Sequence, residues 1–169
     1  MIFRSLVDRK GWTLLELTII LGIIGILGAI TIPGYLSGMP LRRLKADAMD
    51  IASRLTYAKM NAVNRNTDVG VYFFPNKEAY CVFVDSDDNG AFDDPGDQIL
   101  IDNVDLRTGV SFDRSSDDWT LDTANPLDTI IFSPNGSARV AWGDVVIVND
   151  KNDVRKIMVA QNTGRVQTE

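Results

Sequence analysis

The sequence contains no histidine and a single cysteine, Cys81, among its 169 residues. The absence of histidine removes the commonest general base at neutral pH, the Ser/His and Cys/His nucleophile pairs and the usual catalytic zinc ligands. A lone cysteine excludes an intramolecular disulfide in any compartment. We therefore expect a protein that is not an enzyme, because a hydrolase would have to work with carboxylates or lysine alone.

Charged side chains are almost absent from one long segment near the N-terminus. From Trp12 to Pro33 the only ionisable side chain is that of Glu16, and the remaining residues are mostly apolar. About 20 apolar residues form a helix that crosses roughly 30 Å of hydrocarbon. The segment therefore predicts a single membrane-spanning helix.

A secretory signal peptide is the alternative interpretation of this N-terminus. Its apolar core usually has only about 7 to 15 residues and ends in a small-x-small cleavage site, whereas the run here is longer and contains a carboxylate. Arg4, Arg9 and Lys10 precede the run. The positive-inside rule then predicts a cytoplasmic N-terminus and places the chain after about residue 40 on the far side of the membrane.

Glu16 is the unexpected residue of the apolar segment. A carboxylate within a membrane span costs a few kcal/mol, so by default it has a function and a partner. No residue within the span can pair with it, although near the helix start it could instead reach water at the headgroups. If the chain were cut after Gly11, Glu16 would become the fifth residue, about one turn from a new α-amino group at Trp12. In an assembly that amine could belong to a neighbouring subunit.

The sequence GWTLLEL at residues 11–17 resembles the processing site of type IV pilins and type II secretion pseudopilins. The resemblance implies that a prepilin peptidase removes residues 1–11 by cutting after Gly11 and then N-methylates Trp12. It also implies that Glu16 pairs with the N-terminus of a neighbouring subunit and so sets the register of a filament. The implied partners are other pilins or pseudopilins, contacted through the N-terminal helix, together with the peptidase and the inner membrane.

A second helical pattern follows the apolar segment. Seven apolar residues recur at steps of three and four and predict one apolar face, while charged residues such as Asp47 fall elsewhere. The seven are Leu41, Leu44, Ala48, Ile51, Leu55, Ala58 and Ala62. A coiled coil could cover this stripe, but we expect a β-sheet to do so, because strand patterns follow at once and the apolar positions shrink to alanine.

One helix from Trp12 to about Asn64 would be roughly 80 Å long. The glycines and prolines at 33, 34, 38 and 40 predict a kink or partial unwinding between its halves. From Val69 onward the chain reads as short β-strands separated by turns. The predicted strands are VGVYFF, AYCVFVD, QILIDN, VSFD, TIIFSP, ARVAW, VVIVND, RKIMVAQ and a final strand near the C-terminus.

The predicted fold is therefore α+β and pilin-like, with a long N-terminal helix packed on antiparallel β-sheet. We expect a leader at 1–11, a membrane and assembly helix at 12–36, an amphipathic half at 37–66 and a β-rich periplasmic part at 67–169. The segment from residue 46 onward, the turn FSPNGSA and a closing GRV resemble the minor pseudopilin H group and the related FimT-like minor pilins.

The acidic loop DSDDNGAFDDPGD opens like a calcium-binding loop. Asp85, Asp87, Asn89 and Asp93 would supply oxygen ligands to a hard cation, with a glycine at the sixth position. The twelfth position is Gly96 rather than a bidentate glutamate, and strands flank the loop. The alternative, which the turn chemistry favours, is a solvated hairpin loop. Apart from this calcium hypothesis we expect no cofactor.

The C-terminal sequence raises the question of DNA binding. FimT-like proteins that serve DNA uptake are expected to carry several basic residues there, whereas here Arg165 is followed by a neutral pair and Glu169. Arg139, Arg155 and Lys156 could join Arg165, but the net charge of −6 disfavours nucleic acid as a partner. A final strand with a glycine turn is the alternative.

These observations favour a structural protein. The resemblance implies a minor pseudopilin of a short periplasmic filament in a type II secretion system, held in the inner membrane by one span. The alternative is a minor type IV pilin or FimT-like protein in pilus assembly or DNA uptake.

Overall fold

The computed structural model describes residues 12–74, 76–93, 95–113, 128–140 and 143–169. The chain divides into two compact units, Met1–Met39 and Pro40–Glu169. The helices are α1 (Leu14–Ser37) and α2 (Met39–Arg65). The strands are β1 (Val69–Phe74), β2 (Ala79–Val84), β3 (Gln98–Asp105), β4 (Val110–Phe112), β5 (Thr129–Phe132), β6 (Ala138–Val140), β7 (Gly143–Asn149), β8 (Val154–Ala160) and β9 (Arg165–Thr168). The α+β prediction is confirmed.

In the first unit the described residues form α1, a helix of 24 residues in which no residue is buried. Its Ser and Thr side chains donate hydrogen bonds to carbonyl oxygens of the preceding turn, as between Thr31 and Leu27 at 2.8 Å. This back-bonding removes polar groups from the helix surface. By length and composition, α1 is sufficient to cross a membrane.

The predicted continuous helix is interrupted at Gly38. The Gly38 N–H donates to the Tyr35 carbonyl oxygen at 3.3 Å, a bond three residues back that closes the last turn of α1. Pro40 follows in the first turn of α2, where its missing N–H costs no helical hydrogen bond. Pro33, by contrast, lies inside α1. The sequence thus located the break correctly, and the helix is two helices rather than one.

The amphipathic stripe of α2 is buried in the second unit. Six of its seven predicted residues are at most 3% exposed, whereas Leu41, at the start of the helix, is 37% exposed. The buried six join one core with residues from both sheets, such as Phe73, Phe132 and Ile147. Packing on β-structure, rather than a coiled coil, therefore covers the stripe.

In the described ranges the strands form two antiparallel sheets, which agrees with the predicted antiparallel β-structure. The five-stranded sheet has the order β3-β2-β1-β5-β6 and the four-stranded sheet the order β4-β7-β8-β9. The sheets separate because β4 pairs with β7, with Val110 opposite Asn149, rather than with a strand adjacent in sequence. The predicted strand positions agree with the observed strands to within one or two residues at most ends.

Two of the predicted turns meet in the fold. Gly164, in the β8–β9 turn, has φ +53°, and a Cβ there would collide with the carbonyl oxygen of Gly136 in the β5–β6 turn. The Lys59 Nζ of α2 donates to the Thr163 carbonyl oxygen at 2.7 Å. The Ala138 N–H donates to the Gln161 carbonyl oxygen at 2.7 Å and so joins the two sheets. The FSPNGSA turn and the GRV sequence therefore contact each other in the fold.

Candidate functional site

Glu16 lies in the first turn of α1, where Thr13 is the N-cap. The Glu16 N–H donates to Thr13 Oγ1 at 3.2 Å, and the Leu17 N–H donates to the Thr13 carbonyl oxygen at 3.1 Å. Thr13 and Glu16 have the spacing of a capping box, a signal that the sequence reading missed. The helix dipole also favours a carboxylate at this end. The hydrogen bonds of the Thr13 cap therefore hold Glu16 in the first turn of α1.

The surface of α1 around Glu16 is apolar and exposed. Trp12 is 71% exposed, and most of the large apolar side chains on α1 are more than half exposed, with Ile20 at intermediate exposure. Nothing lies within 4 Å of a Cβ placed at Gly22 or Gly25. Small residues on a helix surface allow close approach of another helix in a membrane. Gly11 and the rest of the predicted leader lie outside the described residues.

The four predicted calcium ligands come together in one loop between β2 and β3. Asp85, which is buried, accepts hydrogen bonds from the N–H groups of Asn89 at 3.2 Å and Gly90 at 3.0 Å. The Asn89 Nδ2 donates to Asp87 at 2.8 Å and to Asp93 at 2.6 Å. The loop thus has the internal hydrogen bonds of a well-formed turn. Burial raises the pKa of Asp85, although the Gly90 N–H opposes that shift.

Sequence reasoning did not name as ligands three carboxylates that lie at this loop, namely Asp68, Asp88 and Asp97. Carboxylate oxygens of Asp68, Asp85 and Asp88 lie within 4.8 Å of one another, as do those of Asp85, Asp87 and Asp97. Asp68 reaches Asp85 because β1 and β2 pair there, and the hairpin register could have shown this. Calcium binding stays a prediction, which isothermal titration of calcium into the protein would test.

An aromatic cluster also holds the acidic loop in place. The Phe92 ring lies 5.1 Å from the Phe83 ring, 5.2 Å from the Tyr72 ring and 6.0 Å from the Phe74 ring, measured between centroids. Such pairs contribute beyond their buried area. Apolar packing therefore stabilises the loop independently of its carboxylates.

The predicted basic residues near the C-terminus do not share one face. Arg165 is exposed on β9, where it lies opposite Ala160 of β8. Because side chains alternate along a strand, Lys156 shares the face of Arg165 and Arg155 lies on the other. The side chain of Arg139 is outside the described part of the chain. The arrangement of the described residues adds no support for a DNA-binding patch.

A buried carboxylate on α2 is the clearest departure from the sequence reading. Asp47, predicted to lie off the apolar face, is only 3% exposed. The Arg107 guanidinium forms ion pairs with Asp47 and, at 2.8 Å, with Asp50, and the Arg107 N–H donates to Asp47 at 3.1 Å. Burial raises the pKa of Asp47, and the bonds from Arg107 oppose the shift. The signal was available, because Asp47 lies three residues after Leu44 and four before Ile51.

Comparison with known proteins adds to this geometry. Residues 47–164 match the model of a family described as Type II transport protein GspH. The pilin-like protein PilA1 of Thermus thermophilus is 28% identical over 168 residues, which cover 95% of this chain and 99% of that protein. The family match begins within α2, whereas the similarity to the Thermus protein extends over α1 as well.

Two solved structures share the fold. The minor pseudopilin EpsH from the type 2 secretion system of Vibrio cholerae has a TM-score of 0.55 and 16% identity, with coverage of 75% of this chain and 96% of that one. The type IV minor pilin FimU of Pseudomonas aeruginosa has a TM-score of 0.54 and 18% identity, with coverage of 76% and 89%. Both neighbours carry the same arrangement of helix and antiparallel sheets.

Proposed function

Because the chain belongs to the GspH family of type II transport proteins, we propose that it is a minor pseudopilin, a structural subunit of a short periplasmic filament in a type II secretion system. The family consists of structural pilin and pseudopilin subunits, which assemble with one another and are not enzymes. Among the described residues, one helix near the N-terminus is apolar enough to anchor the chain in a membrane, and a folded C-terminal unit follows it.

One observation supports the proposal above all others, namely that α1 buries none of its 24 residues within the chain. A helix that is apolar all round requires either a bilayer or other helices around it. The carboxylate of Glu16 at its start then finds a cation on a neighbouring subunit. We take that cation to be the α-amino group of Trp12, exposed by cleavage after Gly11 and methylated.

In this proposal the protein resides in the inner membrane, with its N-terminus cytoplasmic until processing and its C-terminal unit periplasmic. The basic residues that precede the span support this orientation. The prepilin peptidase is then the first partner of the chain, and other pseudopilins are the later ones.

The intact mass of the protein purified from its own membranes tests the processing step. We expect wild type to lack residues 1–11 and to carry one added methyl group. Gly11→Phe should retain the leader, whereas Val7→Phe, which introduces the same side chain elsewhere in the leader, should be processed normally. Normal cleavage of the Gly11 variant would refute the assignment of this site.

A minor type IV pilin in pilus assembly or DNA uptake is the second candidate. The similarity to a pilin-like protein across nearly its whole length and the structural likeness to a type IV minor pilin favour it. Deletion of the gene separates the two candidates. Loss of secreted enzymes from the medium with normal DNA uptake supports the secretion system, and the converse supports the pilus. A salt-sensitive gel shift by the purified protein would favour DNA binding.

A further inference from the structure

The strand β9 is one edge of the four-stranded sheet. Lys156 and Glu169 exchange two backbone hydrogen bonds, at 3.1 and 2.9 Å, and so set the alternation along the β8–β9 pair. In an antiparallel pair the intervening residues point their N–H and C=O groups away from the partner strand. Val166 and Thr168 are those residues, and in the described ranges no backbone group pairs with that side of β9.

A groove runs between this free edge and α2. Val166 and Thr168 form its floor, and Ser53, Tyr57 and Met60 of α2 form its wall, around a volume of about 560 Å³. The side chains of Val166 and Thr168 lie on the same face as Val159 and Ile157, to which they are directly opposite. A strand added to β9 would therefore place alternate side chains in the groove.

The wall of the groove exposes apolar side chains although it belongs to the folded unit. Met60 is 59% exposed and Tyr57 is 40% exposed, and Met49 farther along the same face is 67% exposed. Methionine and tyrosine are common at protein interfaces because they combine large apolar area with adaptability or a polar tip. The groove thus offers burial to a partner's apolar side chains.

Thr168 also lines a second pocket, which we take as the other end of the groove and which has more basic than acidic side chains. Lys45 and Arg155 line it together with Met49 and Thr168, and the only acidic side chain among its lining residues is that of Glu169. Two cationic side chains therefore face one side-chain carboxylate, in a chain whose net charge is −6. An acidic segment is the complement of this end, because opposite charges across an interface orient a partner.

We propose that the β9–α2 groove is a strand-addition site, occupied by an extended, acidic and apolar segment of a different subunit in the same filament. Backbone hydrogen bonds to Val166 and Thr168 supply affinity, and the two ends of the groove select an apolar and an acidic side chain. The identity of the partner rests on the proposed function, whereas the site itself follows from the free edge and the groove.

Photocrosslinking of the full-length protein in its own cells tests the proposal. Benzoylphenylalanine at Tyr57 should form an adduct that peptide mass spectrometry maps to an extended segment with carboxylates in another pilin-like subunit. Ile99 on β3, which is also 40% exposed, is the matched control position and should give no such adduct. An adduct with a helix, or with Gln98–Asp105 of a second copy, would overturn the proposal.

Backbone substitution distinguishes strand addition from other docking. Thr168→Pro removes an N–H that β8 does not use, and edge strands tolerate proline at such positions. It should lower the Tyr57 adduct yield about tenfold, the effect of losing one hydrogen bond with a backbone partner. Thr168→Val keeps the N–H and should leave the yield unchanged. An equal yield from the proline variant would refute strand addition.

Charge reversal and hydrogen exchange provide independent measurements. Lys45→Glu should reduce the adduct, and Lys77→Glu in the β1–β2 turn should not. The amides of Val166 and Thr168 should exchange fast in the purified chain and slowly in the filament complex. Benzoylphenylalanine at Ile23 reports on assembly through α1. If Ile23 crosslinks to other subunits and Tyr57 does not, the groove proposal alone fails, and if neither does, the proposed function fails.

Discussion

The helices α1 and α2 are adjacent in sequence but differ in the distribution and burial of their apolar residues. In α1 every turn is apolar, Glu16 is the only charged residue, and no side chain is buried. In α2 the apolar residues occupy one face, and six of the seven residues of the predicted stripe are buried. The charged residues of α2, apart from Asp47, are not buried. The same apolar residue types are therefore buried within the folded unit in α2, whereas in α1 none of them is buried.

The difference indicates where each helix obtains its stability. An amphipathic helix gains most of its stability from packing its apolar face within the domain. A helix that is apolar all round gains it from the bilayer or from other helices. We infer that α2 belongs to the fold and that α1 belongs to the assembly.

Deletion of residues 1–39 should have the largest effect, and it tests whether the second unit folds without α1. The remaining chain contains α2 from Pro40 onward, the strands β1 to β9 and the core that the described residues form. We expect it to leave the membrane fraction completely and to retain a cooperative thermal transition. Circular dichroism of the purified fragment measures this. A fragment that is unfolded or still sediments with membranes would show that the two regions are not separable.

A matched pair of isoleucines compares the two helices directly. Ile51 in α2 is fully buried, whereas Ile23 in α1 is 53% exposed. Ile51→Ala should lower the free energy of unfolding by about 2–5 kcal/mol, through lost burial and a cavity. Ile23→Ala should change it by less than about 0.5 kcal/mol. Urea denaturation of the full-length protein in detergent micelles gives both values, and equal losses would contradict the comparison.

Substitution of one glycine in the folded unit and one glycine in α1 provides a second comparison of the two regions. Gly164→Ala should destabilise the folded unit by about 1–3 kcal/mol, because φ is positive there and the new Cβ meets the Gly136 carbonyl oxygen. Gly22→Ala should leave folding unchanged, since a Cβ there meets nothing within the chain. Its effect should appear in co-purification with partner subunits. A stable Gly164 variant would show that the turn contact is adaptable.

The pH dependence of stability tests the buried carboxylates of the folded unit and has the smallest expected effect. Burial raises the pKa of Asp85 above the ordinary 3.8. The folded state therefore binds this proton more tightly than the unfolded state, and the resulting stability is present below about pH 3.8 and lost as the pH rises through the folded-state pKa. As the pH rises from 4 to 7, the Tm of wild type should therefore fall relative to the Tm of Asp85→Asn. A difference independent of pH would contradict the shift.

The sequence was sufficient where structure depends on local signals. The strands from Val69 onward, the interruption at Gly38 and the stripe on α2 follow from periodicity, turn residues and proline, which act over a few positions. The long apolar segment has a length and composition that few other structures share. These are the parts of the fold that were predicted nearly residue by residue.

The remaining features depend on residues far apart in sequence. The pairing of β4 with β7 creates the second sheet, and no turn connects those strands. The ion pair with Arg107 stabilises Asp47 on the buried face of α2, and Arg107 lies 60 residues from Asp47 in the sequence. Asp68 and Asp97 join the acidic loop through strand pairing and a loop closure. In each case a nonlocal contact decided the outcome, which propensity and spacing cannot encode.

Assembly of Glu16→Val is the measurement that tests the central claim most directly. The account predicts that this variant is processed, inserted into the membrane and folded, and that it fails to co-purify with the other pilin-like subunits. Glu16→Asp, which keeps the charge on a shorter side chain, should retain part of that association. Normal co-purification of the valine variant would contradict the claim that the carboxylate of α1 finds its partner on another subunit.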